Sequence, residues 1–222
     1  ANTVRIAGYN NTSGYGFSQA THPDIHCFTF APNNPNVFLM GTDGGISEAN
    51  LLANPISFTE KNTNFTTLQY YRAAIDPTLG SSIYIGGAQD NGVVNRTANN
   101  NNHTVVLTGD GSSVGISSGN TSHYISLQQG NIFRRNSNLQ PGFINARLTP
   151  ANLSPSRLFV TLFHLDPDYS TTLYYADHNK LYRNGRADTV TLDAQAANRM
   201  QEVTGVASAI GNEGLRSFAT NR

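Results

Sequence analysis

The sequence has no tryptophan, one cysteine and few charged side chains. Charged residues fill 13% of its 222 positions, about half the usual share of roughly 25%. The 14 Lys and Arg balance the 14 Asp and Glu. Without a positive excess there is no electrostatic footprint for nucleic acid or for an anionic membrane surface. No apolar run approaches the ~20 residues that a membrane-crossing helix needs, so no membrane insertion is expected. Cys27 has no cysteine with which to form an internal disulfide. It sits in Cys27-Phe28-Thr29-Phe30 with no cation beside it to activate the thiol, and is expected to be a small buried hydrophobe. Helical patterning is nearly absent too. The best stretch, residues 193–200, is expected to make a turn or two inside a loop. A Ser-His-Asp elbow, a phosphate loop and Cys/His zinc spacing are all missing.

Asn, Thr, Ser and Gly take the place of charge. These residues populate turns and strand faces, a composition that leans toward an exported β-protein. The chain also repeats itself. An apolar strand, a Gly/Asp turn and a second strand occur at Val37-Phe38-Leu39-Met40-Gly41-Thr42-Asp43-Gly44-Gly45-Ile46. The pattern returns at Ile83-Tyr84-Ile85-Gly86-Gly87-Ala88-Gln89-Asp90-Asn91-Gly92-Val93-Val94, around Gly130-Asn131 and around His178-Asn179. Those turn residues tolerate positive φ, and the flanking Val, Ile, Tyr and Phe favour strands. Ahead of three copies runs another strand that ends in a proline corner, at Pro32, Pro77 and Pro167. Ser57-Phe58-Thr59-Glu60 supplies a more variable outer strand.

Four short antiparallel strands repeated every ~40–50 residues describe a propeller blade. The expected fold is therefore all-β: a β-propeller of four-stranded antiparallel blades, about four of them present. The blade-like units fall at 22–66, 67–104, 105–155 and 156–204, in a single propeller portion spanning 1–222. The Asn run at 99–102 reads as an exposed loop tip. Residues 4–9 resemble the tail of a preceding blade, and residues 206–210 the opening strand of a following one. Open sheet edges invite aggregation, so the chain is expected to be part of a longer one with a seven-bladed or larger propeller. The alternative is a four-bladed propeller closed by pairing its two ends.

Several motifs occur in a fixed order: His22-Pro23-Asp24-Ile25-His26, Asn34-Pro35, Gly41-Thr42-Asp43-Gly44-Gly45, Gln69-Tyr70-Tyr71, Gly86-Gly87-Ala88-Gln89-Asp90-Asn91-Gly92 and Gly109-Asp110-Gly111. This set resembles the BNR/sortilin-like repeat proteins often labelled "glycosyl hydrolase", and is dense between about residues 21 and 115. The resemblance implies a propeller within a large exported or cell-surface bacterial protein, with other domains on the same chain and, in many relatives, type IX secretion. It reaches more distantly to xyloglucanase-like enzymes and sortilin receptors. The chain departs from the family in lacking Trp. The Asp box S-x-D-x-G-x-T-W is thus complete nowhere, and any platform for a sugar ring falls to Tyr and Phe.

Three constellations could carry chemistry. His22, Asp24 and His26 alternate at period two, so an extended backbone points all three to one face, a workable set of metal ligands. The competing reading is that they hydrogen-bond the loop that enters the strand. Asp43, Asp90 and Asp110 lie in Gly-rich turns of successive units. With Asp24 they are the candidate carboxylates of a glycoside hydrolase, which needs two at ~5–5.5 Å or ~6.5–9.5 Å. The competing reading is turn chemistry, in which Asp accepts backbone N–H bonds. No cofactor is expected; calcium held by these carboxylates and loop carbonyls is the one exception weighed, and no D-x-D-x-D-G loop is present. The arginines, among them Arg72, Arg96, Arg134, Arg135 and Arg183, are spread along the chain at surface-exposed strand ends, so no carboxylate-gripping cluster of the sialidase kind is expected.

The leading reading is a non-enzymatic binding or scaffold propeller, secreted or on the bacterial cell surface, that presents loops to a glycan or protein partner. Its ligand-contacting candidates are His22, Asp24, His26, Asp43, Gln89, Asp90, Asn91 and Asp110. The alternatives are a xyloglucanase-like glycoside hydrolase and a structural spacer in a large adhesin or filament.

Overall fold

Short runs of β-branched and aromatic residues, punctuated by Gly, Asn, Asp and Pro, fold here into antiparallel meanders. The computed structural model describes residues 21–22, 24–54, 56–65, 68–97, 102–138, 144, 146–191 and 200–219. The expected blade tail at 4–9, the Asn run up to residue 101 and the helical stretch up to residue 199 lie outside the described residues.

Four four-stranded sheets form, each with its strands in chain order. The first holds β1 (Ile25–Ala31), β2 (Asn34–Thr42), β3 (Gly45–Asn50) and β4 (Ser57–Glu60). The second holds β5 (Arg72–Ile75), β6 (Tyr84–Ala88), β7 (Gly92–Arg96) and β8 (Thr104–Leu107). The third holds β9 (Val114–Ile116), β10 (Ser122–Ser126), β11 (Ile132–Asn136) and β12 (Ala146–Arg147). The fourth holds β13 (Leu162–Leu165), β14 (Leu173–Asp177), β15 (Lys180–Asn184) and β16 (Gln201–Glu202). The architecture is all-β, in propeller-like blades, as the repeat implied. The unit boundary expected after residue 104 falls inside β8, because Thr104 and Val105 continue the ladder with Asn95 and Val94.

The chain divides into two compact units, Ala1–Leu68 and Gln69–Arg222. The first contains one sheet and a small core of Phe38, Met40, Ala49 and Phe58. Its first strand is open to solvent: Ile25, Phe28 and Phe30 are exposed. Cys27 is exposed as well, which corrects the expectation that it is buried. Apolar neighbours along a strand show what the strand prefers, not whether anything covers it. The thiol rests instead over Gly41, its cross-strand partner.

The second unit contains the other three sheets and two cores, one on each side of the third sheet. Successive side chains of a strand point to opposite faces. On β10, Ile125 packs with Ile85, Val93, Val106 and Ile116, while Tyr124 packs the other way with Ile132, Leu148, Leu173 and Tyr175. All five β10 residues are buried. Each large apolar side chain so buried contributes about 1.5–3 kcal/mol.

Two expectations about local backbone change. Residues 206–210 form a short helix, α1 (Val206–Ile210), rather than a strand. The Val-x-Ser-x-Ile alternation suggested a strand, but Ala207 and Ala209 support a helical turn, which Gly205 and Gly211 bound at φ 88° and 65°. In one of the four hairpins the positive φ also lies beside the expected pair, on Gly45 rather than on Asp43-Gly44; in the other three it falls on a member of the pair, Gly92, Gly130 and His178, with Asp90 and Gln129 positive as well.

Candidate functional site

In the first unit, His22, Asp24, His26 and Asp43 cluster around the β2–β3 turn as two pairs. Asp24 N donates to His22 Nδ1 at 3.4 Å, and His26 Nε2 bonds the Asp43 carboxylate. His22 packs on Gly44, where a Cβ would come within 2.7 Å of the His22 Cβ. Asp43 N donates to the Asp24 carbonyl at 3.3 Å. The outer imidazoles of the alternating His-x-Asp-x-His thus have different partners, a backbone N–H for His22 and a carboxylate for His26. Asn62, not singled out from the sequence, completes the turn: its Oδ1 accepts from Ile46 N at 2.8 Å and its Nδ2 donates to Gly44 O at 3.0 Å.

In the second unit, three sequence motifs meet in one place. Tyr71 N donates to Gly87 O at 2.8 Å, and its hydroxyl bonds the Gln89 side chain. Asp90, at φ 61°, donates its N–H to Asp110 Oδ1 at 3.1 Å. Asp110 N in turn donates to Gln128 Oε1 at 3.2 Å, and Asn91 Nδ2 to Gln89 O at 3.0 Å. Glycines let the backbones touch. A Cβ on Gly87 would lie 2.1 Å from Ser112 O, and one on Gly111 would lie 2.0 Å from Gly92 O. The turn between β6 and β7 is therefore locked onto the segment leading into β9, and the Asp110 carboxylate is part of the lock.

Ionisable groups that sequence patterning did not single out lie inside this unit. His123 is buried opposite Arg135 on β11. Burial, reinforced by the Arg135 cation, pushes the His123 imidazole down to about 4. Arg135 is itself fully buried, against the expectation of an exposed strand end. Burial alone would raise the Asp76 carboxyl, but bonds from Thr78 N at 3.0 Å and Ser81 Oγ at 2.8 Å hold it below the ordinary range. Asp177 is fully buried and raised by desolvation, although Ser154 N donates to its Oδ2 at 2.6 Å.

A cavity of about 290 Å³ opens where the first strands of the three sheets come together. Ser113 N donates to Thr161 O at 3.3 Å and Phe163 N to Ser113 Oγ at 3.4 Å, which ties the β9 and β13 ends to each other. Arg72 begins β5 on one wall, and Phe163 and His164 of β13 form another. The segment after α1 closes the third side with Arg216, Ser217 and Phe218. That segment is held by the β14–β15 turn: Leu215 N donates to His178 O at 2.7 Å and Asn179 Nδ2 to Gly211 O at 2.6 Å. The Phe218 ring stands edge-on to His164 at 6.3 Å. Among the described residues no acidic side chain lines the cavity.

The chain matches no family model and no curated protein. The cavity therefore has to be read from its own chemistry. Arg72 was noted in the sequence as one of several scattered arginines; Arg216 was not singled out, and His164 figured only as part of a strand. The parity of β13 gave one usable signal, since Leu162 and His164 share a face that Phe163 does not. Nothing in the local sequence around Arg216 announces that it lines the same cavity as Arg72.

Proposed function

We propose that this chain is a non-enzymatic binding module, part of a propeller in a secreted or cell-surface bacterial protein, that holds a glycan or protein partner. The observation that carries this reading is the cavity between β5, β9 and β13, where groups from three sheets face one small space. Ligand sites favour concave places where polar groups converge, and the lining here is more polar than apolar. A second observation favours binding over hydrolysis. Asp90 and Asp110 are joined through a backbone N–H to carboxylate bond, and Asp43 is engaged by His26. A general acid and base need to face a substrate rather than a turn.

The resemblance to BNR/sortilin-like proteins supports the same reading, and with it export and further domains on a longer chain. Exposed apolar side chains on β1, with Phe28 66% and Phe30 50% accessible, are what a blade leaves bare when a neighbour is missing, and they support a larger propeller.

The test pairs a glycan array with an assay for released reducing ends, run on the same panel. Retention of one glycan class without cleavage is expected. Turnover that disappears in both Asp90→Asn and Asp110→Asn would establish the hydrolase instead.

A further inference from the structure

Among the described arginines, most guanidinium groups are already engaged. Arg96 donates to Ser82 O, Arg134 to Val190 O, Arg147 to Asn131, Arg157 to Gln129 O and Ser154 O, Arg183 to Tyr174 and Arg186 to Asp188. Arg135 is buried and also has a partner. Arg72 and Arg216 differ. Neither has a hydrogen-bond or ion-pair partner among the described residues, and both line the same cavity.

Two cations brought to one pocket repel each other unless an anion joins them. A guanidinium offers a planar fork of donors that matches a carboxylate in a bidentate pair. The rest of the lining, which includes Ser217, His164 and Phe218, suits a hydroxylated ring. A volume of about 290 Å³ lies at the low end of the range for ligand pockets, roughly 300–1,000 Å³, which leaves room for one sugar unit.

We propose that the cavity between β5, β9 and β13 binds one uronic-acid residue of an acidic glycan, its carboxylate held between Arg72 and Arg216. This rests on the binding-module reading above and names the ligand class of that site. Ser217 and His164 bond ring hydroxyls, and Phe218 lies against the ring.

The test is calorimetric titration of the full chain with galacturonate and glucuronate trimers, the matching neutral trisaccharides and triglutamate. The uronate trimers are expected to bind, with affinity falling as salt rises. Arg72→Gln and Arg216→Gln are each expected to weaken binding about tenfold to a hundredfold, the usual worth of a charged hydrogen-bonded pair. Both arginines are exposed, so thermal melts of the two variants are expected to match the parent and show that they fold. Arg72→Lys is expected to restore only part of the affinity, because an ammonium keeps the charge and loses the fork.

Equal binding of neutral and acidic trisaccharides, or binding that the Arg72→Gln and Arg216→Gln changes leave intact, would overturn the proposal while leaving a glycan-binding module standing. Triglutamate binding as tightly as the uronates would overturn it in favour of an acidic peptide. A glycan array and titrations that both show no binding would remove the proposal together with the glycan form of the binding-module reading.

Discussion

His123 holds Asn120 Oδ1 through Nε2 at 2.8 Å, while its Nδ1 is buried without a partner. The ring is therefore a neutral tautomer that donates from Nε2, and a proton on Nδ1 would be desolvated beside the Arg135 cation. The folded-state value near 4 lies below the ordinary 6.5, so the unfolded chain takes up the proton first as pH falls. Stability from this residue is complete above pH 6.5, declines as pH drops toward 4, and levels off below that. The full effect is on the order of 3 kcal/mol. Asp177 acts with the opposite sign. Its raised carboxyl keeps a proton longer in the folded state, so its contribution is lost as pH rises through the folded value. Asp76, held low, loses its contribution only as pH falls below the unfolded 3.8. The His123 share is isolated by comparing the parent with His123→Gln in urea melts between pH 4 and pH 7. The variant is expected to have the flatter profile; equal slopes would mean that the imidazole is protonated while folded. None of this was legible in the sequence, where His123 sits in a strand like any other. Its burial follows from which face of β10 turns toward the second sheet, and that depends on contacts far along the chain.

The glycine lock makes the strongest demand on local geometry. On Gly111 an added methyl meets Gly92 O at 2.0 Å and Ala88 N at 2.7 Å, and both are backbone atoms that no rotamer change can move aside. Gly111→Ala is expected to destabilise the fold by about 3 kcal/mol or more, at the upper end for overpacking. Gly119→Ala is the control, since its Cβ position is open and only its φ of 73° is unfavourable; that change should cost about 1 kcal/mol. Comparable melting points for the two variants would refute the lock. At this scale the sequence was informative: β4 coincides with the strand expected at 57–60, and β13 begins the stretch expected to run from 162 to the corner at Pro167. Strand patterns with strong turn residues on either side need no long-range information. α1 was misread because alternation over five residues is too short to separate a strand from a helical turn. The β2–β3 turn shifted for a related reason: Asp43, Gly44 and Gly45 adjoin, and cross-strand register puts the positive φ on Gly45.

Across the whole molecule, burial is uneven. β10 is paired on both edges and buried on both faces, whereas β1 is paired, among the described residues, only with β2 and is open along nearly its whole length. Amide exchange is expected to be slowest in β10 and fastest, among strands, in β1. Equal protection in the two would mean that β1 is covered in solution. The repeat made four sheets legible. The cavity was not, because its cations come from positions 144 residues apart, Arg72 and Arg216, joined only by the packing of one sheet on the next. The glycine lock and the cavity are built from different residues, and this has a consequence for descent. Gly87, Gly92, Gly111 and Asp110 answer to the backbone alone, so a lineage that alters them loses the protein. Arg72, His164 and Arg216 take no part in that lock. Substitutions at those three positions leave the lock untouched, so the chemistry of the pocket is free to change while the skeleton stays the same.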